Sequence, residues 1–258
     1  MNNLRSRIIP SLLMDDGRLI KTRQFREPKY VGDPINAVKI FNEKGVDELA
    51  IFDIGAWKGS EPNLKLLEKI ANEARMPLCY GGGIKSEDQA AKIIGLGFEK
   101  ISISRQAILQ PDLISSIAAR IGSQSTVVTL DVKKRVLMSG WNVFIENGKT
   151  KVREDFGSIL DRITAAGVGE VTINCIDREG MLNGYDLELA QYVADRVRTP
   201  ITILGGAGVP EHMSELITKI GTVGAAAGSM FVFKGIHRAV LISYSRPNDV
   251  IGQHFPDK

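Results

Sequence analysis

Residues 77–105, PLCYGGGIKSEDQAAKIIGLGFEKISISR, hold an apolar run, three glycines, a polar turn, a helical pattern and a second apolar run. PLCY and EKISIS suit strands. SEDQAAKIIGLG suits a helix, with Ser86 as N-cap and Glu87 and Asp88 in the first turn. Strand, glycine turn, helix and strand make a βαβ unit. Residues 200–230, PITILGGAGVPEHMSELITKIGTVGAAAGSM, repeat that order. Gly81 and Gly205, Asp53 and Asp177, and Ser104 and Gly228 all recur at one spacing, 124 residues. Matched landmarks at a fixed offset argue for two halves of similar construction.

Working outward, RIIPSLL (7–13) reads as a first buried strand, with Pro10 at a local irregularity. The polar stretch that follows carries Arg18, Lys21, Arg23, Arg26 and Lys29 between Gly17 and Gly32. It reads either as a solvated loop or as a flap over an anionic substrate. Asp33-Pro34 opens a helix, and ELAIFD (48–53) and STVVTLD (125–131) are strands ending in acids. WNVFIE and KTKV flank Asn147-Gly148, a hairpin signal inserted after the fifth strand. Further helices are expected at 63–74, 155–166, 187–196, after Pro210 and at 235–244. Further strands are expected at 170–175, 201–204 and 223–227.

Eight strand-like runs alternating with helices predict an α/β fold, a single (β/α)8 barrel spanning 1–258 with an internal two-fold repeat. Its half-barrels fall at about 1–122 and 123–244, and a loosely held tail at 245–258. A doubly wound sheet is the competing architecture, and the repeat favours the barrel. The net charge of +3 is spread among acids, which argues against nucleic acid as a partner. No run is long enough to span a membrane and no secretory signal is visible, so a cytoplasmic location is expected. Cys79 and Cys175 read as buried thiols, and three scattered histidines predict no metal site.

In a barrel, chemistry gathers at the C-terminal strand ends. Asp131 is the best-placed general acid or base there. Gly81–Gly83, Gly205–Gly208 and Gly228-Ser229 are candidate phosphate corners, where glycine lets the backbone approach an anion. Asp53 and Asp177 are a second matched pair, suited to turn capping or chemistry. Trp57 and Trp141 suit packing, or a cover for substrate. At the opposite end, Arg7, Glu48, Lys100 and Glu170 begin alternate strands and suit rim salt bridges or a charged constriction.

On the stretches RIIPSLL, GDPINAVKIFNEKGVDEL, PLCYGGGIKSEDQA, VVTLDVKKR, DREGMLNGYDLEL and GGAGVPEHM, the chain resembles the cyclase subunit of imidazole glycerol phosphate synthase, along nearly its full length. The resemblance implies a two-fold barrel that takes a bis-phosphate ribulosyl aminoimidazole at one face. A glutaminase subunit docks at the other and sends ammonia along the axis. No cofactor is implied. The family's catalytic aspartate falls on Asp131, its loop-one lysine on Lys21, and its phosphate contacts on Gly82, Gly83, Gly180, Gly206, Gly228 and Ser229. Its ammonia gate falls on Arg7, Glu48, Lys100 and Glu170, all of family type.

Three positions depart. The strand-one catalytic aspartate is replaced by Leu13, the strand-four asparagine by Ser104, and an aspartate of the strand-six loop by Glu179. An intact gate with an altered cyclase site resembles the paralogues of bacterial surface-polysaccharide clusters. Those imply amidation of a phosphorylated or nucleotide-linked sugar, with a glutaminase partner and a separate sugar amidotransferase.

Overall fold

The computed structural model describes residues 5–56, 61–235 and 237–247. The first part of the chain forms β1 (Arg7–Asp15), β2 (Arg18–Arg23), β3 (Arg26–Gly32), α1 (Pro34–Lys44), β4 (Leu49–Asp53), α2 (Leu64–Glu73), β5 (Leu78–Gly81) and α3 (Glu87–Gly95). It continues through β6 (Lys100–Ile103), α4 (Arg105–Leu109), α5 (Asp112–Ile121), β7 (Thr126–Lys134), β8 (Trp141–Ile145), β9 (Thr150–Lys151) and α6 (Phe156–Ala165). The last part holds β10 (Glu170–Cys175), α7 (Leu187–Arg196), β11 (Ile201–Leu204), α8 (Pro210–Ile220), β12 (Gly224–Ala227), α9 (Ser229–Val232), β13 (Phe233–Lys234) and β14 (Ala239–Val240).

Strands β1, β4, β5, β6, β7, β10, β11 and β12 pair in parallel, each with the next, and β12 pairs back to β1. The sheet is therefore closed, a (β/α)8 barrel. Gly81 ends the third barrel strand and Gly205 follows the seventh, so the 124-residue spacing maps onto positions four strands apart.

Two apolar layers hold it. The larger lies between strands and helices and includes Ile8, Leu12, Phe41, Ile51, Ile93, Ile117, Leu160, Ile173 and Leu216. Inside the barrel a smaller cluster joins Ile9, Ala50, Cys79, Val127, Leu204 and Ala226. Alternation along each strand sends odd and even residues to these two layers. The helices begin where side chains can hold free N–H groups. Asp33 Oδ1 accepts from Asn36 N at 2.9 Å, Ser86 Oγ from Gln89 N at 3.2 Å, and Asp186 Oδ1 from Leu189 N at 3.0 Å. Each such cap is worth about 1 kcal/mol.

The structure corrects the sequence reading in four places. The stretch after the first strand is not a solvated loop. It is the antiparallel hairpin β2–β3, which continues from β1. Pro10 occupies a regular register: Arg7–Pro10 pair with Gly224–Ala227, and β1 passes to β4 from Ser11 onward with no bulge. Changing partners at that point accommodates the missing N–H. In place of a helix at 235–244, the described residues form the short hairpin β13–β14 and then an extended strap. Leu241 N and Ser243 N donate to Val232 and Phe231, which draws the segment down the outside of the barrel.

The tail is also held as far as it is described. Tyr244 OH donates to Ile8 O at 3.3 Å, and Arg246 donates to Gly45 O and Asp47 Oδ1, both at 2.8 Å. A short helix, α4, was not anticipated. The hairpin expected after the fifth strand is present, with β8 antiparallel to β7 and β9 antiparallel to β8. Trp141 anchors it, packed against Phe156 and Tyr192 with its indole N–H on Asp186 Oδ2 at 3.2 Å. Its role is packing; Trp57 lies outside the described residues.

Candidate active site

At the N-terminal end of the barrel four charged side chains close a ring. Arg7 Nη1 lies 2.5 Å from Glu48 Oε2 and Nη2 lies 2.8 Å from Glu170 Oε1. Lys100 Nζ completes it, 2.8 Å from Glu48 Oε2 and 2.9 Å from Glu170 Oε2. Thr202 Oγ1 donates to Glu170 Oε1 as well. Burial works against the charge on Arg7 and Lys100, but the two carboxylates outweigh it and raise both pKa values. Burial likewise opposes ionisation of Glu170, and Arg7 and Lys100 reverse the sign, holding it below the usual carboxylate range. Two cations and two anions at these distances neutralise one another in a poorly solvated site.

Above the ring lies a small axial void. Glu48, Glu170, Ile9, Ala50, Cys79, Val127, Thr172 and Ala226 surround a void of about 20 Å³, capped by Phe52 and Leu204. The small side chains Ala50, Cys79 and Ala226 leave the space. Burial first, then Glu48 and Glu170, keep the Cys79 thiol well above its ordinary pKa, so it stays neutral.

Phe52 and Leu204 are also the floor of a larger cavity, about 210 Å³, that opens at the C-terminal face. Asp131, Glu179, Asn174, Ser104, Gly82, Gly83 and Leu13 all line it. Asp131 Oδ1 accepts from Asn174 Nδ2 at 2.9 Å, the two residues standing opposite one another in the β7–β10 register. Burial pushes the Asp131 carboxyl up to about 7, with Glu179 adding to the rise and the Asn174 amide opposing it. Glu179 is also raised, mainly by burial, against the nearby Lys21 ammonium and the Thr22 hydroxyl that donates to it at 3.1 Å. An acid with a pKa near neutrality is suited to both giving and taking a proton. Leu13 lines the cavity with Phe25, Phe52, Ile54 and Ile84, so it is apolar where strand one ends, with Ser11 two residues earlier on the same strand the polar exception. Asp15 and Asp16 do not line it. Asp53 lines the cavity and also caps a turn, its Oδ1 accepting from Gly55 N at 3.1 Å, whereas Asp177 Oδ2 accepts from Lys134 N of β7 at 2.8 Å.

The two glycine corners differ. Gly82, Gly83 and Ser104 open onto the cavity, and the Gly82 backbone (φ 141) passes so close to Asp53 that an added Cβ would lie 2.5 Å from its carbonyl oxygen. Gly180, Gly206, Gly228 and Ser229 lie outside its lining. Gly180 is packed under Thr22 and Arg23 of β2, Gly206 against Gly184 O, and Gly228 against the Lys21 ammonium. Lys21 is buried, donates to Ser11 O at 2.8 Å, and is pushed by burial to a pKa of about 8. Ser229 Oγ beside this corner is buried with no hydrogen-bond partner. Over the mouth, Gln24 N and Nε2 of the β2–β3 turn donate to Glu179 O and Asp177 O at 3.0 and 2.9 Å. Asn147 Nδ2 of the β8–β9 turn donates to Ile54 O at 3.2 Å.

The sequence reading did not name Asn174, Thr22 or Arg105 as site residues and took Asn147 only as a turn residue, yet all four line this cavity. For Asn174 a signal existed: it shares the inward parity of Glu170 and Thr172 on one strand. Among the described residues no group of three or more His, Cys, Asp or Glu side chains is placed to hold a metal ion. Among them, too, no helix is long and apolar enough to cross a membrane.

A closed barrel with an ion-paired floor, a small axial void and one strongly perturbed carboxyl at its C-terminal face is built as an enzyme of the (β/α)8 class. Residues 7–237 match the family described as histidine biosynthesis protein, and the chain belongs to that family. It is 49% identical over 247 residues to a Leptospira borgpetersenii protein provisionally named imidazole glycerol phosphate synthase subunit HisF, covering 95% of this chain and 97% of that one. A Pseudomonas aeruginosa protein provisionally named subunit hisF2 is 46% identical over 246 residues, 95% and 98% of the two chains. Clostridium botulinum (strain Okra) imidazole glycerol phosphate synthase subunit HisF is 37% identical over 232 residues, 90% and 92% of the two chains. The chain is a HisF-like synthase subunit.

Proposed function

We propose that this barrel receives ammonia from a glutaminase subunit through its axis and delivers it near Asp131 for acetamido-to-acetamidino amidation of a phosphorylated or nucleotide-linked surface-polysaccharide sugar. The observation that carries the reading is a complete charged ring below an axial void that only Phe52 and Leu204 separate from the main cavity, together with Leu13 opposite Asp131. A leucine neither moves a proton nor holds an amine, which removes one of the two acids that imidazole ring closure needs. The provisionally named relatives, one of them numbered hisF2, are 46–49% identical, against 37% for a HisF named without qualification, as a separate branch would be.

On this reading ammonia enters where Lys100 bridges Glu48 and Glu170. Beyond the two carboxylates it crosses a void walled largely by Ile9, Ala50, Cys79, Val127 and Ala226, side chains that favour the neutral molecule over ammonium. Gly82, Gly83 and Ser104 hold the anionic end of the acceptor, Lys21 and the Gly228 corner a second anionic group, and Asp131 exchanges the proton. The glutaminase docks on the ring face, and a separate sugar amidotransferase completes the pathway.

The test is copurification with the cognate glutaminase, then product analysis with amide-labelled glutamine, the acetamido sugar, the separate sugar amidotransferase and a nucleoside triphosphate that activates the amide oxygen for departure. Label in an amidino sugar is the expected result. Turnover of the ribulosyl aminoimidazole bis-phosphate under saturating ammonia would instead establish a cyclase of histidine synthesis. A third outcome, full pathway output with Asp131→Asn but none after charge reversal at Lys100, would mark a docking subunit without chemistry of its own.

A further inference from the structure

Asn174 uses only half of its amide. Its Nδ2 is spent on Asp131 at 2.9 Å, while its Oδ1 is buried and has no hydrogen-bond partner. The residue is 8% exposed, and it lines the main cavity together with Asp131. Leaving such an oxygen bare costs free energy comparable to a lost hydrogen bond, so an unpaired acceptor at a cavity wall points to a ligand donor.

Its position along the barrel specifies the donor. Glu170, Thr172 and Asn174 are the inward residues of β10: the first belongs to the charged ring, the second to the axial void, the third to the main cavity. Asn174 is therefore the first free acceptor above the Phe52–Leu204 floor on the strand that lines the whole path. Asp131 beside it, when ionised, supplies a second acceptor and a negative charge. A carboxylate oxygen next to an amide oxygen suits a small nitrogen carrying several N–H bonds and suits a hydroxyl, with one hydrogen, less well.

We infer that Asn174 Oδ1 and Asp131 together form a receiving site for a small N–H donor, either ammonia arriving from the axis or the nitrogen of the acceptor entering by the mouth. The first source rests on the proposed function; the site itself does not. In this site Asn174 acts twice. It fixes which Asp131 oxygen is held back, and it orients the incoming nitrogen against the other.

The experiment uses the full chain with ¹³C-labelled aspartate, following the Asp131 carboxyl signal at pH 8. Ammonium chloride and methylammonium chloride are titrated separately, with sodium chloride as control. A saturable shift from either salt, absent with sodium and weakened at least tenfold in Asn174→Leu, is the expected result. Saturation by ammonium alone assigns the site to axial ammonia, and saturation by methylammonium as well admits the acceptor nitrogen. Thermal melts establish that the leucine variant is folded. Asn174→Asp serves as a second variant, which keeps acceptors and should retain or tighten ammonium binding. Equal shifts with sodium, or undiminished ammonium binding in Asn174→Leu, would overturn the inference. A saturable site with no amidated product would leave the inference standing and remove the proposed function.

Discussion

Leu13 stands level with Phe52 in the parallel register of β1 and β4, and Phe52, with Leu204, is shared by the axial void and the main cavity. The position that resembles a catalytic aspartate in the cyclase pattern is thus part of an apolar wall at the end of the axis. Leu13→Asp would place a carboxyl in that wall opposite Asp131. Its destabilisation should be about 1–3 kcal/mol at pH 8 and smaller at pH 4, where both acids are protonated. Urea denaturation at the two pH values checks this.

Asp131 carries a testable sign. Its folded pKa, about 7, lies above the unfolded value of 3.8, so the folded state resists ionisation. Stability is lost as pH rises between those values, and above pH 7 the whole cost is present. Asp131→Asn should melt like the parent chain near pH 4 and be more stable by ~2–4 kcal/mol at pH 8, while losing product formation. Equal stability at pH 8 would argue against a buried, ionisation-resistant carboxyl.

The ion-paired floor has the opposite signature. The depressed folded pKa of Glu170 means its contribution is complete above the unfolded value and fades as pH falls through the lower, folded one. The raised values of Arg7 and Lys100 put their losses at strongly alkaline pH. Glu170→Gln leaves two buried cations facing one anion, which should cost about 3–5 kcal/mol at pH 7 and remove part of the acid sensitivity. Chemical melts from pH 3 to 7 read both effects.

Glycines at the two corners should respond differently to a methyl group. Gly82→Ala needs φ 141 and meets Asp53 O at 2.5 Å, backbone that cannot yield, so a loss of about 2–4 kcal/mol is expected. Gly228→Ala meets chiefly the end of the Lys21 chain, a flexible group, and should cost only ~1 kcal/mol. Its effect should appear in ligand binding, as a weaker thermal shift with inorganic phosphate.

Much of this architecture was legible in the sequence, for reasons that are local. Strand β11 and helix α7 fall at the ranges expected for them, 201–204 and 187–196. The charges of the floor were legible because Arg7, Glu48, Lys100 and Glu170 each precede or begin an apolar run. The hairpin β2–β3 was not, since Arg26–Tyr30 are all exposed and carry no two-residue alternation; pairing to β2, not burial, makes them a strand. The helix expected at 235–244 fails because its backbone is recruited by Phe231 and Val232. Asn174 was overlooked because one amide in EVTINC looks incidental until Asp131 is placed opposite it.

The inward face of β10 has a consequence for how the barrel can vary. Glu170, Thr172 and Asn174 serve three depths of the molecule from one six-residue strand, and each step along it advances about 6.6 Å. A slip of a single residue against β7 would turn Val171, Ile173 and Cys175 inward and remove a floor charge, a wall hydroxyl and the upper amide together. The strand works as a ruler: its register is one variable on which three separate functions depend, so insertions are tolerable beyond its ends and ruinous within it.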